Sequence, residues 1–325
     1  MNKVAVFFFL MLTCNIFSQD PQYSHNMFNI AGINPGYAGS KEDMICANVI
    51  NRNPYFGLID FEDGGLRTTS LSVHGPVNLF NRTHGLGVSL GNDNYGFNDF
   101  WGNISYSYKI DTDNGQFGVG LKAGVFNKNF SLPTGVEIQI DNAIQRSKSQ
   151  FALDLGLGLF YHTDNLYAGL SVAHLHQPDM YITLEGSGTA GNGAKVELTR
   201  YYYLTSGYNI ALNNPDFVLK PSIFVKSDLA TTIVDLNANI EYNKKVWAGV
   251  SYRPGDAIVG MAGAEVFKDV QVGVAYDLVT SSLGPFSQGA DGNSISSGSV
   301  EVILRYCFDL SIEKKPQGYK SVRFL

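Results

Sequence analysis

Apolar and polar residues alternate along much of this chain with a period of two. In GQFGVGLKAGVFN, Phe117, Val119, Leu121, Ala123 and Val125 share one face, while Gln116, Gly118, Gly120, Lys122 and Gly124 share the other. FALDLGLGLFY sets Phe151, Leu153, Leu155, Leu157, Leu159 and Tyr161 against Ala152, Asp154, Gly156 and Gly158. TIVDLNANIEY sets Val234, Leu236, Ala238, Ile240 and Tyr242 against Asp235, Asn237, Asn239 and Glu241. A soluble sandwich alternates too, with its apolar face inward. Length separates the two cases, because these runs extend for about 10 to 13 residues where soluble strands stop at about 5 or 6.

The pattern predicts fourteen strands, near residues 44–52, 67–77, 84–93, 100–110, 115–127, 151–163, 165–175, 197–211, 216–227, 231–242, 245–253, 257–267, 270–280 and 298–309. Links after the first, fifth, seventh and thirteenth are long, whereas those after the sixth, eighth, tenth and twelfth are tight turns: TDN, NNPD, NKK and KD. Short periplasmic turns on one rim, long extracellular loops on the other and an even strand count are the layout of an outer-membrane barrel. The expected fold is therefore all-β, a transmembrane antiparallel β-barrel of about 14 strands over residues 44–310. An even count puts both termini on the periplasmic, short-turn side.

Composition agrees with a lipid-facing surface. Charged residues make up 16% of the chain and aromatics 13%, with 35 Gly and 18 Tyr, whereas a soluble domain carries about 25% charge. Tyr106, Tyr108, Tyr161, Tyr242, Tyr252 and Tyr276 fall toward strand ends, where an aromatic girdle meets headgroups. The formal net charge of −6 gives no support to nucleic-acid binding. Alternation turns Lys122, Asp154, Lys220, Lys226, Asp235, Glu241, Asp277 and Arg305 into the lumen. Charges of both signs in a low-dielectric interior must pair or meet water, so the first reading is an internal salt-bridge network and the second a charged pore lining.

Residues 1–18, MNKVAVFFFLMLTCNIFS, have the layout of a signal peptide cleaved after Ser18, with an apolar run too short to span a membrane. Cys46 and Cys307 then remain, without metal-ligand spacing, and whether they pair is left open. His174 and His176 in HLHQ share one face of a strand end and could begin a metal site, but no third ligand is near. The glycines of GLGVSLG and GVGLKAG sit inside strands, without the helix start of a phosphate cradle. Ser72 and His74 share a strand face with no orienting partner. No catalytic, metal or cofactor site is expected, and the chain is not read as an enzyme.

Residues 19–43 form neither strand nor helix by pattern. Asn34-Pro35-Gly36 is a turn signal and Tyr37-Ala38-Gly39 an aromatic flanked by small residues, so this segment is expected at the periplasmic mouth of the barrel, either folded back as a lumen plug or as a turn that starts the first strand. Its motifs resemble the PorP/SprF family, outer-membrane proteins of the type IX secretion system of Bacteroidota. Gln19, Asp20, Pro21, Tyr23 and Ser24 match that family's Gln-Asp-Pro-x-Phe/Tyr-Ser element. Asn34, Pro35, Tyr37, Ala38 and Gly39 match its Asn-Pro-Ala-x-x-Gly element, with Gly36 where Ala is usual. Arg52 followed by NPYFG, the stretch TTSLSVHGPV and the end YKSVRFL are similar to later family elements.

The resemblance implies a role in secretion and surface display. The implied partners are the type IX translocon, an adhesin-like cargo with a C-terminal sorting domain, and periplasmic ring or peptidoglycan-binding components, often in gliding motility. Residues 311–325 would be a periplasmic tail, and the loops 53–66, 129–150, 177–196 and 281–297 are the expected contact surfaces. The alternative is a porin or a transporter of hydrophobic solutes.

Overall fold

The computed structural model describes residues 16–18, 20–40, 44–54, 66–94, 97–130, 150–182, 194–281 and 298–310. The expected signal peptide up to residue 15, the tail from 311 and the greater part of the four expected contact loops lie outside the described residues.

Fourteen antiparallel strands close into a barrel. They are β1 (Met44–Asn53), β2 (Arg67–Leu79), β3 (Arg82–Asn94), β4 (Phe97–Thr112), β5 (Gly115–Phe130), β6 (Gln150–His162) and β7 (Leu166–Ala173). There follow β8 (Tyr201–Tyr208, resumed after Asn209 at Ile210–Ala211), β9 (Phe217–Ser227), β10 (Thr232–Tyr242), β11 (Val246–Arg253), β12 (Ala257–Phe267), β13 (Val270–Val279) and β14 (Ser299–Asp309). Each pairs with its sequence neighbour, and β14 returns to β1 with Val302 opposite Asn51 and Cys307 opposite Cys46. Those two cysteines are joined as a disulfide across the seam, 261 residues apart in sequence.

The strands follow the pattern because a closed barrel must satisfy every backbone group between strands while presenting one side-chain set to lipid. The exposed set is apolar: Ile104 is 64% exposed, Leu121 57%, Leu153 55% and Val250 59%. The covered set is polar, with Asp235, Asp277 and Glu301 all at 0%. That inversion of a soluble protein places lipid outside and the polar groups in the lumen. Tyr242, Tyr252 and Tyr276 are exposed at strand ends. Tyr108 accepts a hydrogen bond from Arg82 Nη1 at 2.8 Å, and Tyr106 stacks on His84 with ring centroids 5.6 Å apart. No helix among the described residues is long and apolar enough to cross a membrane.

Long links occur only after odd-numbered strands, so all of them fall on one rim. The other rim has hairpins such as Phe80-Asn81, whose φ angles of 50° and 58° suit a two-residue turn with the twist of the flanking strands. One expected strand is corrected. The run 197–211 enters the wall only at Tyr201, while Ala194–Leu198 pairs antiparallel with Asp179–Ile182 and parallel with Ile16–Ser18. The chain leaves the wall after β7, where His174 takes φ of 53° and ends the extended run.

Candidate functional site

Residues 20–40 lie inside the barrel, in short helical turns at Asn26–Phe28, Ile30–Ile33 and Pro35–Tyr37. Short turns of this kind leave backbone groups unpaired. The wall supplies the partners.

Near the long-loop end, three carboxylates, one each from β10, β13 and β14, receive the segment. The backbone N–H groups of Ser24 and His25 donate to Glu301 Oε2 and Oε1 at 2.8 and 2.7 Å, and His25 Nδ1 lies 2.7 Å from Oε1. Ser24 Oγ donates to Asp277 Oδ1 at 2.6 Å. Gln22 Nε2 and Asn26 Nδ2 donate to Asp235 Oδ2 at 2.8 and 2.9 Å. Behind these stand two arginines. Arg253 reaches Asp235 at 2.6 Å and Asp277 at 3.3 Å, and Arg52 reaches Asp277 at 2.8 Å and Glu301 at 3.4 Å. The acids pair with the arginines and accept from the segment at the same time, and hydrogen bonds to a charged acceptor are the stronger kind.

Asp20 makes the second anchor. His174 sits between carboxylates, with Nε2 2.9 Å from Asp20 and Nδ1 2.9 Å from Asp154. Tyr203 donates its hydroxyl to Asp20, Lys226 donates to the Asp20 backbone carbonyl, and the Lys226 ammonium lies 4.8 Å from the Tyr201 ring centre. Burial opposes the charge on Asp20, but His174 and Lys226 outweigh it and hold the carboxyl well below the usual range. Burial also opposes the charge on His174, yet Asp20 and Asp154 raise the imidazole to about 9. His174 is therefore a cation bridging two acids, and His176 is exposed; the pair does not share a metal-binding face.

At the short-turn end the segment lies against glycine. A Cβ at Gly120 would come 2.3 Å from Gly36 N, one at Gly118 2.2 Å from Gly36 O, one at Gly158 2.1 Å from Asn34 Oδ1 and one at Gly85 1.8 Å from Ala38 O. These are the inward glycines of β3, β5 and β6. Their missing side chains form the groove that residues 34–39 occupy. Asn34 Oδ1 accepts from Gly36 N at 2.8 Å, and Asn34 Nδ2 donates to the carbonyls of Leu159 at 2.9 Å and Leu170 at 3.2 Å. Ser107 Oγ and Lys109 Nζ donate to Gly36 O at 3.0 and 2.9 Å. Gly39 has φ of 69°, with its Cα side against Gly85, so no side chain fits there. A Cβ at Gly36 would stand 2.9 Å from the carbonyls of Gly118 and Gly158, which suits glycine at that position.

The inward charges thus fall into separate groups. Asp235 and Asp277 meet the two arginines; Asp154 and Lys226 flank His174 and Asp20; Lys122 packs over Gly156 beside Asp154. Lys220 pairs with Glu241 at 2.7 Å, and Arg305 lies over the Phe28 ring at 5.6 Å. Ser72 accepts from Asn48 at 3.5 Å, whereas His74 faces Gly39 and the Tyr37 ring. Sequence reasoning missed Gln22, His25, Asn26, Lys109, Arg253 and Glu301, and gave Arg52 no partner. Glu301 was within reach, because the alternation that points Val300 and Val302 outward turns it inward. Both termini were expected on the short-turn side. The chain does leave β14 there, but Asp20 sits toward the opposite end of the lumen, among residues at the long-loop ends of β7, β8 and β9.

A membrane β-barrel with its own N-terminal segment held between opposite walls is the class these features define. Residues 15–306 match the family described as type IX secretion system membrane protein PorP/SprF, and the chain belongs to that family. Among curated proteins none matches. Solved structures similar to it include the Ralstonia pickettii toluene transporter TbuX, with 11% identity, 91% of this chain and 95% of that one covered and a TM-score of 0.49. A Pseudomonas aeruginosa FadL homologue has 12% identity, 85% and 93% coverage and a TM-score of 0.48. Acinetobacter baumannii Omp33 has 8% identity, 83% and 100% coverage and a TM-score of 0.44. At such identities and scores these likenesses assign nothing to this chain beyond what its own strands show.

Proposed function

We propose that this protein is an outer-membrane component of the type IX secretion system that supports secretion, anchoring or surface display of an adhesin-like cargo protein with a C-terminal sorting domain. The reading rests on family membership together with one observation: the residues that carry the family signature, Asp20 to Gly39, hold the N-terminal segment in the lumen. On this reading residues 20–40 are a plug, and the barrel is a docking platform rather than a path for solutes. The short-turn rim faces the periplasm, where ring or peptidoglycan-binding components would meet it, and the long loops face outward toward cargo and translocon. Deleting the gene should remove surface display of at least one type IX cargo. Unchanged display of every such cargo would exclude the proposal.

A further inference from the structure

Two strands carry a polar cluster on the face that meets lipid. On β3, Leu86, Val88 and Leu90 are exposed and alternate with the covered Gly85, Gly87 and Ser89, which places Arg82 and His84 on the outward side. On β4, exposed Ile104 and Ile110 place Tyr106 and Tyr108 there too, and His84 stands directly opposite Tyr108. The four side chains are joined. Arg82 Nη1 donates to the Tyr108 hydroxyl at 2.8 Å, the Tyr106 hydroxyl lies 2.7 Å from His84 Nδ1, and the His84 ring has the two tyrosine rings 5.6 and 5.5 Å away. A cation turned toward hydrocarbon is costly, so its depth decides what it meets.

Arg82 opens β3 directly after the Phe80-Asn81 hairpin, at the short-turn rim. That hairpin has an apolar tip, with Leu79 42% and Phe80 97% exposed. Apolar side chains so displayed belong at the membrane boundary rather than in water. Arg82 then stands at headgroup level, its stem along the apolar wall and its guanidinium among the phosphates. The hairpin between β10 and β11 differs, because Lys244 and Lys245 are exposed at its own tip and face water. Charge selects the ligand at Arg82. Its hydrogen-bond partner is the neutral Tyr108 hydroxyl, and it forms no ion pair among the described residues. The remaining N–H donors of the guanidinium match a phosphate.

We propose that this patch binds the headgroup of an anionic phospholipid in the leaflet at the short-turn rim, with Arg82 on the phosphate and Leu79, Phe80 and Leu86 beside the acyl chains. Tyr108 steadies the guanidinium, and His84 packs against the Tyr108 ring. An uncompensated positive charge favours a headgroup of net negative charge over a zwitterionic one. The site stands on the geometry of the barrel wall and does not depend on the secretion reading.

The test uses the full-length protein in a neutral detergent, titrated with phosphatidylglycerol and with phosphatidylcholine of the same acyl chains and read by native mass spectrometry. Phosphatidylglycerol should be retained about tenfold more tightly. Arg82→Gln should erase that preference, and Lys244→Gln, at another hairpin of the same rim, should leave it unchanged. An excess of inorganic phosphate should not displace the lipid. Equal retention of the two lipids by the parent would overturn the proposal. So would a preference that survives Arg82→Gln or falls as far with Lys244→Gln, and displacement by inorganic phosphate would assign the site to a free anion instead. Heat-modifiable gel mobility establishes the fold of each variant, and the comparison of lipids on the parent needs no substitution.

Discussion

Replacing the inward glycines of the groove should release the N-terminal segment in steps. The wall's hold on residues 34–36 comprises three neutral hydrogen bonds, those from Asn34 to Leu159 and Leu170 and from Ser107 to Gly36, and one charged bond from Lys109. At about 1 kcal/mol for each neutral bond and about 2 for the charged one, the hold is about 5 kcal/mol. A methyl forced into a packed site costs about 1–3 kcal/mol. Gly158→Ala alone, with its Cβ 2.1 Å from Asn34 Oδ1, should therefore loosen the segment without evicting it. Alanine at Gly85, Gly118, Gly120 and Gly158 together would cost about 8 kcal/mol at the middle of that range, more than the groove's hold on residues 34–36, so this stretch should leave the groove while the Glu301 and Asp20 anchors still tether the rest. Planar-bilayer recordings should show a closed parent, a nearly closed single variant and a conducting quadruple variant. Heat-modifiable gel mobility would establish that each barrel has formed. A folded quadruple variant as closed as the parent, or a single variant already fully open, would refute the reasoning.

Other expectations follow from the same contacts. Arg253→Met leaves Asp235 and Asp277 buried without that cation and should lower stability by about 3–5 kcal/mol, read as a shift of the urea midpoint; an unchanged midpoint would show that the pair adds nothing. The His174 contribution is complete below its ordinary value of 6.5 and is lost as pH rises through about 9. That of Asp20 is complete above 3.8 and fades as pH falls. The midpoint should thus be highest between about pH 4 and 6.5 and fall toward pH 9 and beyond, and His174→Gln should flatten the alkaline fall. Replacing Cys46 and Cys307 together by Ala should cost about 2–5 kcal/mol and abolish the effect of reductant on unfolding, while the β14–β1 register persists. Equal midpoints with and without the bond would argue that the seam is held by strand pairing alone.

The barrel was legible because each strand needs only its own alternation to be recognised. β6, β9, β10 and β13 fall within a residue or so of the runs that predicted them. β8 was misplaced because Val196 to Tyr203 is one apolar-rich stretch, and nothing local marks Thr199-Arg200 as the point where the chain enters the wall. The inward position of the charges could be read in the same way, but their partners could not. Arg52 and Asp277 are separated by 225 residues, and only closure of the sheet brings them together. The glycines of β3, β5 and β6 were visible as repeats inside strands. Their purpose lies in a groove shared by three strands and filled by a fourth stretch of chain, which no single window contains. The segment from Asp20 to Gly39 was noticed for its motifs, while its path from the long-loop end of the lumen to the short-turn rim depends on the anchors His174, Glu301 and Asn34 acting together.

The central claim is that a family signature held inside the barrel closes it. Single-channel conductance of the purified full-length protein, compared with a chain lacking residues 20–39, tests this most directly. The account predicts a parent with no steady channel and a deletion variant that conducts in discrete steps. Steady conductance by the parent, or a folded deletion variant as tight as the parent, would contradict it.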